Sequence, residues 1–163
     1  MKKFAWLLLQ CAVPSLLLCQ QEASQVFQSA RPFLTALSVE NLAVECQWYE
    51  DTFGFRTLKS LDLPGRSSVR VIELNRIALE LVSTPGSLSR TSILPDSNDA
   101  ARLQGFFKFA ILVDNIDSVA SYLHRRNVRF RGSPVADTSS GFRFFTVEDP
   151  EHNLIQIFQR TRP

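Results

Sequence analysis

One arrangement of secondary structure occurs twice in this chain of 163 residues, and it constrains the fold more than any other feature. Residues 33–39 alternate between apolar and polar side chains as a strand does, and Asn41 is placed to cap a helix from about Leu42 to Phe53, where Gly54 ends it. Three strand-like segments follow: 55–61, 68–74 and 77–83. Residues 33–83 therefore read as strand, helix and three strands.

Residues 105–159 repeat this plan. The segment "FFKFAILV" (106–113) predicts a strand, and Asn115 is placed to cap a helix from about Ile116 to Arg126. Three predicted strands follow, near 128–131, 141–147 and 153–159. A repeat at this spacing indicates duplication, so we predict an α+β fold in which two βαβββ modules form an incurved mixed sheet around a central cavity. The connecting loop, 84–104, is long enough to serve as a lid or a pocket wall.

Four short motifs follow one another along the two modules. The segment "QWYEDTFGF" (47–55) closes the first predicted helix, and "IALEL" (77–81), "FAILVDNID" (109–117) and "EDPEHNLIQIF" (148–158) come after it. In this order they resemble the vicinal oxygen chelate superfamily, which includes the glyoxalases, the bleomycin resistance proteins and the extradiol dioxygenases. The resemblance implies one such domain over residues 33–160, with its modules at 33–83 and 105–159.

In metal-dependent members of that superfamily, each of four strands directs one ligand into a shared cavity. The resemblance places Leu34, Glu80, Lys108 and Gln156 at these positions, and only Glu80 keeps the ligand type of the family. Leucine has no lone pair, a charged lysine has none, and glutamine offers only a neutral amide oxygen. Tight binding of a divalent ion usually needs three good ligands, so we expect no metal and no other cofactor. The two histidines, His124 and His152, are expected at the surface.

Strand alternation predicts the same geometry without the resemblance, because side chains two residues apart share a face of a sheet. One face is nearly all apolar and is expected to pack under the helices: Phe33, Thr35, Leu37, Leu79, Leu81, Phe107, Phe109, Ile111, Ile155 and Ile157. The other face mixes small, aromatic and polar side chains, a composition typical of a pocket for a small molecule. The predicted ligand-binding residues are Leu34, Glu80, Lys108, Gln156, Phe144 and Phe158.

These features leave several functions open. The leading hypothesis is that the protein binds a small organic molecule in the sheet cavity without metal, as a sequestering protein does. The second is a metal-independent lyase or isomerase, in which Glu80 is the general base and Lys108 stabilises an oxyanion. A metal-dependent enzyme with a degenerate site and a non-catalytic interaction domain with a filled cavity are further alternatives. Glu80 and Lys108 are equally compatible with a purely structural ion pair.

The first residues predict export. Lys2 and Lys3 precede an apolar stretch from Phe4 to Cys19, which is shorter than the roughly 20 residues of a membrane-spanning helix. We therefore predict a signal peptide over 1–23, a linker over 24–32, and a periplasmic or secreted protein. A membrane tether through this N-terminal segment is the alternative.

Charge and cysteine content bear on the partners of the protein. The formal net charge is +2 and the basic residues are scattered, so the sequence lacks the basic patch of a nucleic-acid-binding protein. In the predicted domain Cys46 is the single cysteine, which excludes an internal disulfide. The expected partner is a small-molecule ligand, and the sequence leaves open whether the two modules pair within one chain or in a homodimer.

Overall fold

The computed structural model of the protein describes residues 28–31, 33–93, 105–137 and 139–161, so the predicted signal peptide lies outside the described residues. The described residues fall into two units, one up to residue 33 and one from residue 34 on. In the first unit, Arg31 Nη1 donates a hydrogen bond of 2.9 Å to the carbonyl of Ala30. All of the helices and strands described below belong to the second unit.

The first module has the predicted order of strand, helix and three strands: β1 (Thr35–Ser38), α1 (Leu42–Phe53), β2 (Arg56–Asp62), β3 (Ser68–Leu74) and β4 (Ile77–Ser83). Its strands form one sheet in the order β1-β4-β3-β2, in which β1 runs parallel to β4 and the other pairs are antiparallel. The connecting segment carries a four-residue helix, α2 (Arg90–Ile93), which the sequence analysis did not predict.

The second module repeats the order and adds one strand: β5 (Lys108–Leu112), α3 (Ile116–Arg125), β6 (Arg129–Phe130), β7 (Val135–Asp137), β8 (Phe142–Glu148) and β9 (Leu154–Arg160). Its sheet has the order β5-β9-β8-β6, and β7 also pairs with β8. The α+β fold of two βαβββ modules is confirmed. The additional strand β7 follows Pro134 and is three residues long, so the sequence gives no strand signal there.

Local sequence determines where both long helices begin. The side-chain oxygen of Asn41 accepts a hydrogen bond from the Val44 amide at 3.1 Å, and Asn115 accepts one from the Ser118 amide at 2.9 Å. Such a cap satisfies one of the amides that a helix leaves unpaired at its start. At the end of α1, Gly54 has φ +79°, a conformation that a residue without Cβ adopts at little cost.

The core lies between the helices and one face of each sheet. Seven residues that alternation assigned to this face are buried: Leu37, Leu79, Leu81, Phe109, Ile111, Ile155 and Ile157. The strands also bury Ile72, Phe145 and Val147, which were not among the predicted residues. Two residues assigned to this face do not pack there, because they precede the strands: Phe33 lies before β1 and is 83% exposed, and Phe107 lies before β5 and is exposed. The prediction for these two side chains was wrong.

Hydrogen bonds tie the start of α1 to the turn between β8 and β9. The carboxylate of Glu151 accepts from the amides of Glu40 and Asn41, each at 2.7 Å. The hydroxyl of Tyr49 donates to Asp149 at 2.9 Å, inside the core. A carboxylate at a helix N-terminus is also favoured by the helix dipole. In the part of the chain that the structure describes, no helix is long and apolar enough to cross a membrane.

Candidate functional site

The open face of each sheet is defined here as the side opposite the helices. In the first sheet, Glu80 lies on this face between Ala36 of β1 and Val71 of β3, and Leu34 precedes β1. In the second sheet, the ladder of β8 and β9 places Phe144 opposite Phe158, one row of side chains away from Gln156. Of the six predicted ligand-binding residues, these last three are brought together.

Three partly exposed rings form an aromatic group on the open face of the second sheet: Phe142, Phe144 and Phe158. The centroid of the Phe158 ring is 5.4 Å from that of Phe144 and 5.6 Å from that of Phe142. Phe142 contacts Phe158 diagonally across the ladder, because its direct partner in the register is Arg160.

Gln156 lies between Ala110 of β5 and Thr146 of β8. It is 5% exposed, and its amide forms no hydrogen bond to any residue that the structure describes. Its amide atoms are not among the buried atoms that lack a partner in the described residues, so they remain accessible to a polar group of a ligand. The glutamine is therefore a polar anchor beside an apolar surface.

Glu80 and Lys108 form no ion pair with each other among the described residues. Glu80 is half-buried in the first sheet. Lys108 is exposed at the start of β5, and its Nζ lies 5.5 Å from the centroid of the Phe107 ring. The general base and oxyanion donor that the sequence suggested are thus not joined by a direct contact, and their catalytic roles stay predictions.

The donor atoms at the four family ligand positions do not fit a divalent metal ion. Glu80 and Gln156 bring oxygen atoms, while Leu34 has no donor and Lys108 is a cation. Among the residues that the structure describes, no group of three or more histidine, cysteine or acidic side chains is placed to hold a metal ion. No step of the chemistry is therefore assigned to a metal.

A group of charged side chains at the other end of the same open face was missed by the sequence analysis; we call it the Glu148 cluster. Glu148 is 4% exposed and accepts from Arg131 Nε at 3.1 Å and from Arg129 Nη1 at 3.2 Å. Nδ1 of His152 lies 2.7 Å from Glu148 Oε2, and the His152 side chain is 30% exposed. A signal was present, because Arg129 and Arg131 are two residues apart in a strand and share a face.

A second buried acidic group lies where α1 meets the turn between β8 and β9. Glu45 is fully buried, and neither of its carboxyl oxygens has a hydrogen-bond partner. Desolvation, together with the negative charges of Asp149 and Glu151, raises the pKa of Glu45 to about 8. Glu45 therefore holds a proton at neutral pH.

Asp149, next to Glu45, is buried as well but fully hydrogen-bonded. It accepts from the Tyr49 hydroxyl at 2.9 Å, from the Asn153 amide at 2.7 Å and from Asn153 Nδ2 at 2.9 Å. Burial raises the pKa of Asp149, although these hydrogen bonds oppose the shift.

Two cavities border the first module. One, of about 400 Å³, lies beside β1 and reaches the connecting segment; it is lined among others by Ala36, Ser38, Leu88, Ile93, Phe106 and Asn153. The connecting segment thus forms a wall, as its length suggested. The other, of about 1040 Å³, is an open groove over α1, where Arg70 is neutralised by Asp62 at 2.9 Å.

Comparison with known proteins gives a family for this geometry. The model of the Glyoxalase/Bleomycin resistance protein/Dioxygenase superfamily matches residues 32–157. No match was found among curated proteins.

Solved structures of the same fold share little sequence with this chain. A glyoxalase family protein from Enterococcus faecalis is similar with a TM-score of 0.66 and 18% identity, over 78% of this chain and 96% of that protein. Glyoxalase I of Leishmania major has a TM-score of 0.59 and 18% identity, over 80% of this chain and 87% of that one. A fosfomycin resistance protein from Listeria monocytogenes has a TM-score of 0.59 and 11% identity, over 82% of this chain and 95% of that protein. At these identities the likeness concerns the fold.

Proposed function

We propose that this chain, which belongs to the Glyoxalase/Bleomycin resistance protein/Dioxygenase superfamily, binds a small organic molecule with a flat apolar part on the open face of its second sheet. The observation that carries the proposal is the aromatic group beside Gln156. Phe144 and Phe158 are partly exposed on a sheet whose other face is core, and their rings lie within 5.4 Å of each other.

Each part of this surface has a distinct task in binding. The rings offer apolar area and stacking, which typically contributes about 0.5–1.5 kcal/mol per aromatic pair beyond the area buried. Gln156 offers both a donor and an acceptor, and it orients the ligand because it can pair with only one arrangement of polar atoms. Apolar walls with few polar groups are typical of small-molecule sites.

The proposal is that binding needs no metal and that the bound molecule is sequestered without breaking a bond. It is supported by the donor atoms at the family ligand positions, where leucine and lysine replace ligands, and by the absence of a direct Glu80–Lys108 contact among the described residues. Extensive dialysis against a chelator is expected to leave ligand affinity unchanged. Loss of affinity that zinc, nickel or iron restores would contradict metal-free binding.

We also propose that the protein works outside the cytoplasm, from the Lys2-Lys3 pair and the apolar stretch that follows it. Mature protein from the periplasm or the cell envelope is expected to begin between about Cys19 and Gln25, as N-terminal sequencing would show. Native mass spectrometry of that material would report the bound molecule, any metal and the number of subunits together. Cytosolic protein that retains Met1 would contradict export.

A neutral naphthalene compound, 1-naphthylmethanol, tests the binding surface by isothermal titration calorimetry. Replacement of Phe144 or Phe158 by alanine is expected to weaken its binding at least about tenfold, which corresponds to about 1.4 kcal/mol. The matched control is Phe107→Ala, because Phe107 is exposed but lies outside the aromatic group. Failure of the native protein to bind the compound, or equal losses in all three variants, would contradict the proposed function.

A further inference from the structure

Three rows of side chains connect the Glu148 cluster with the aromatic group. In the ladder of β8 and β9, Glu148 is opposite Leu154, Thr146 is opposite Gln156, and Phe144 is opposite Phe158. Strands rise about 3.3 Å per residue, so these rows are roughly 7 Å apart and the outer two are roughly 13 Å apart. A molecule of two fused rings therefore reaches from the aromatic group to the cluster when a chain of about three carbon atoms joins the rings to a polar head group, with Gln156 between its ends.

The cluster holds two guanidinium groups against one buried carboxylate. Arg129 Nη1 lies 3.2 Å from Glu148 Oε2, and Arg131 Nε lies 3.1 Å from Glu148 Oε1. Both arginines stay protonated at any physiological pH. The buried carboxylate holds both guanidinium groups in place.

Arg129 is the member of the cluster that is open to a ligand. Its side chain is 63% exposed, whereas that of Arg131 is 24% exposed. Arg129 contacts Glu148 and His152 through Nη1, and a guanidinium has five N–H donors in all. Arg129 lies opposite Glu148 in the ladder and hence on the open face. The guanidinium of Arg129 is therefore positioned to donate hydrogen bonds to an anion on the open face.

From this arrangement we infer that the ligand is an amphipathic anion, whose carboxylate or phosphate group is bound by Arg129 while its flat apolar part lies on the aromatic group. The inference rests on the proposed function and adds the chemical class of the ligand. Carboxylates and phosphates both match the planar fork of a guanidinium and accept two parallel hydrogen bonds from it. Gln156, halfway along the face, then binds a polar atom in the body of the molecule.

Three compounds with the same ring system and a short chain to the head group test the inference: 4-(1-naphthyl)butanoate, 3-(1-naphthyl)propyl phosphate and the neutral 4-(1-naphthyl)butan-1-ol. The anions are expected to bind at least about tenfold tighter than the alcohol to the native protein. Arg129→Gln is expected to abolish this preference without changing the affinity for the alcohol. Arg129→Lys, which keeps the charge but not the fork, is expected to keep only part of the preference. A preference for one anion alone would identify the group as carboxylate or phosphate.

The matched control is Arg125→Gln at the exposed end of α3, which is expected to leave all three affinities unchanged. Raising the NaCl concentration from roughly 20 to 500 mM provides a test on the native protein, because it should weaken the anions and not the alcohol. Anions that bind no tighter than the alcohol, or equal weakening of all three compounds by Arg129→Gln, would overturn the inference and leave the proposed function standing. Loss of binding of the alcohol itself would overturn both.

Discussion

Two adjacent acidic residues, Glu148 and Asp149, are each 4% exposed, yet their surroundings are opposite. Glu148 ends β8 on the open face and pairs with Arg129, Arg131 and His152. Asp149 begins the next turn, faces α1 and has the acidic residue Glu45 as its neighbour. The difference shows that burial alone does not determine the protonation state of a carboxyl group. The neighbouring groups determine whether the negatively charged form is stable.

Three buried carboxyl groups in one small region are thus stabilised in three different ways. Glu148 is compensated by opposite charges, and Asp149 by hydrogen bonds from neutral donors such as the Tyr49 hydroxyl. Glu45 has neither, so it retains a proton. An uncompensated buried charge costs several kcal/mol, and protonation is the lowest-energy alternative when no partner is near.

The largest effect is expected from Asp149→Ala, at roughly 4 kcal/mol of unfolding free energy. The change leaves the Tyr49 hydroxyl and the Asn153 amide buried without an acceptor, and each orphaned donor costs about 1–3 kcal/mol. Urea unfolding at neutral pH measures it. Asp51→Ala, on the exposed side of α1, serves as the control and is expected to cost under about 0.5 kcal/mol. Similar costs for the two variants would mean that the hydrogen bonds to Asp149 do not stabilise the fold.

The second effect depends on pH. The pKa of Glu45 is raised in the folded protein from 4.5 to about 8, so the unfolded chain gives up this proton first as pH rises. Its contribution to stability is fully present below about pH 4.5, falls by up to about 1.4 kcal/mol per pH unit, and is gone above about pH 8. Glu45→Gln removes this dependence, since the amide carries no proton to lose.

The rise in the pKa of Glu45 corresponds in full to roughly 5 kcal/mol, and rearrangement around the ionised carboxylate is expected to reduce this figure. The Glu45→Gln variant is therefore expected to match the native protein near pH 4.5 and to exceed it by roughly 3 kcal/mol at about pH 9. Urea unfolding across this range gives the difference between variant and native protein, in which the titration of other groups largely cancels. Asp51→Asn, an exposed acid of the same helix, provides the control and should show a difference independent of pH. A constant difference for Glu45→Gln as well would show that Glu45 is ionised in the folded state.

A smaller cost, about 2 kcal/mol, is expected from Glu148→Ala. The variant leaves two guanidinium groups without their carboxylate, but Arg129 is 63% exposed and keeps most of its hydration, so the penalty is below that of a fully buried pair. Thermal or urea unfolding measures it. The control is Asp117→Ala, which removes a surface pair with Arg143 at 2.7 Å and should cost no more than about 1 kcal/mol. If Glu148→Ala costs as much unfolding free energy as Asp149→Ala, the proposed difference between the surroundings of the two acidic residues is contradicted.

The smallest effect is expected from Tyr49→Phe, at about 1 kcal/mol. It removes one of several donors to Asp149 and keeps the ring, which packs edge-on against Trp48 at 5.0 Å. The affinity for 1-naphthylmethanol should not change, since Tyr49 lies on the helix side of the sheets. A loss of affinity in this variant would mean that the two faces are coupled.

Much of the fold was predictable because its signals are local. The caps at Asn41 and Asn115 act within three residues, and Gly54 ends α1 through its own backbone conformation. The bounds of β3 and β4 also match the prediction, since alternation and turn residues delimit them. Alternation failed at Phe33 and Phe107, where the pattern continues beyond the hydrogen-bonded ladder and nothing in the sequence marks its end.

The candidate site was predictable only in part. Alternation placed Gln156 on the open face, but its unpartnered amide and its position between Ala110 and Thr146 follow from the register of three strands. The burial of Glu45 had one sequence signal, because Glu45 lies four residues before the buried Tyr49 and so on the same side of α1. From the sequence alone, a glutamate at this position is expected at the surface, because nothing in the sequence shows that the turn between β8 and β9 packs against it.

The sequence by itself determined what depends on near neighbours: two repeated modules, the helix caps, and the faces of the strands. The tertiary structure alone decided which distant side chains meet, such as Tyr49 with Asp149, 100 residues away, and Arg129 with Glu148. Protonation, ion pairing and ligand recognition all depend on distances through space in a medium of low polarity. For that reason Glu45, Glu148 and Asp149, which are chemically alike in the sequence, acquire different properties only when the chain is folded.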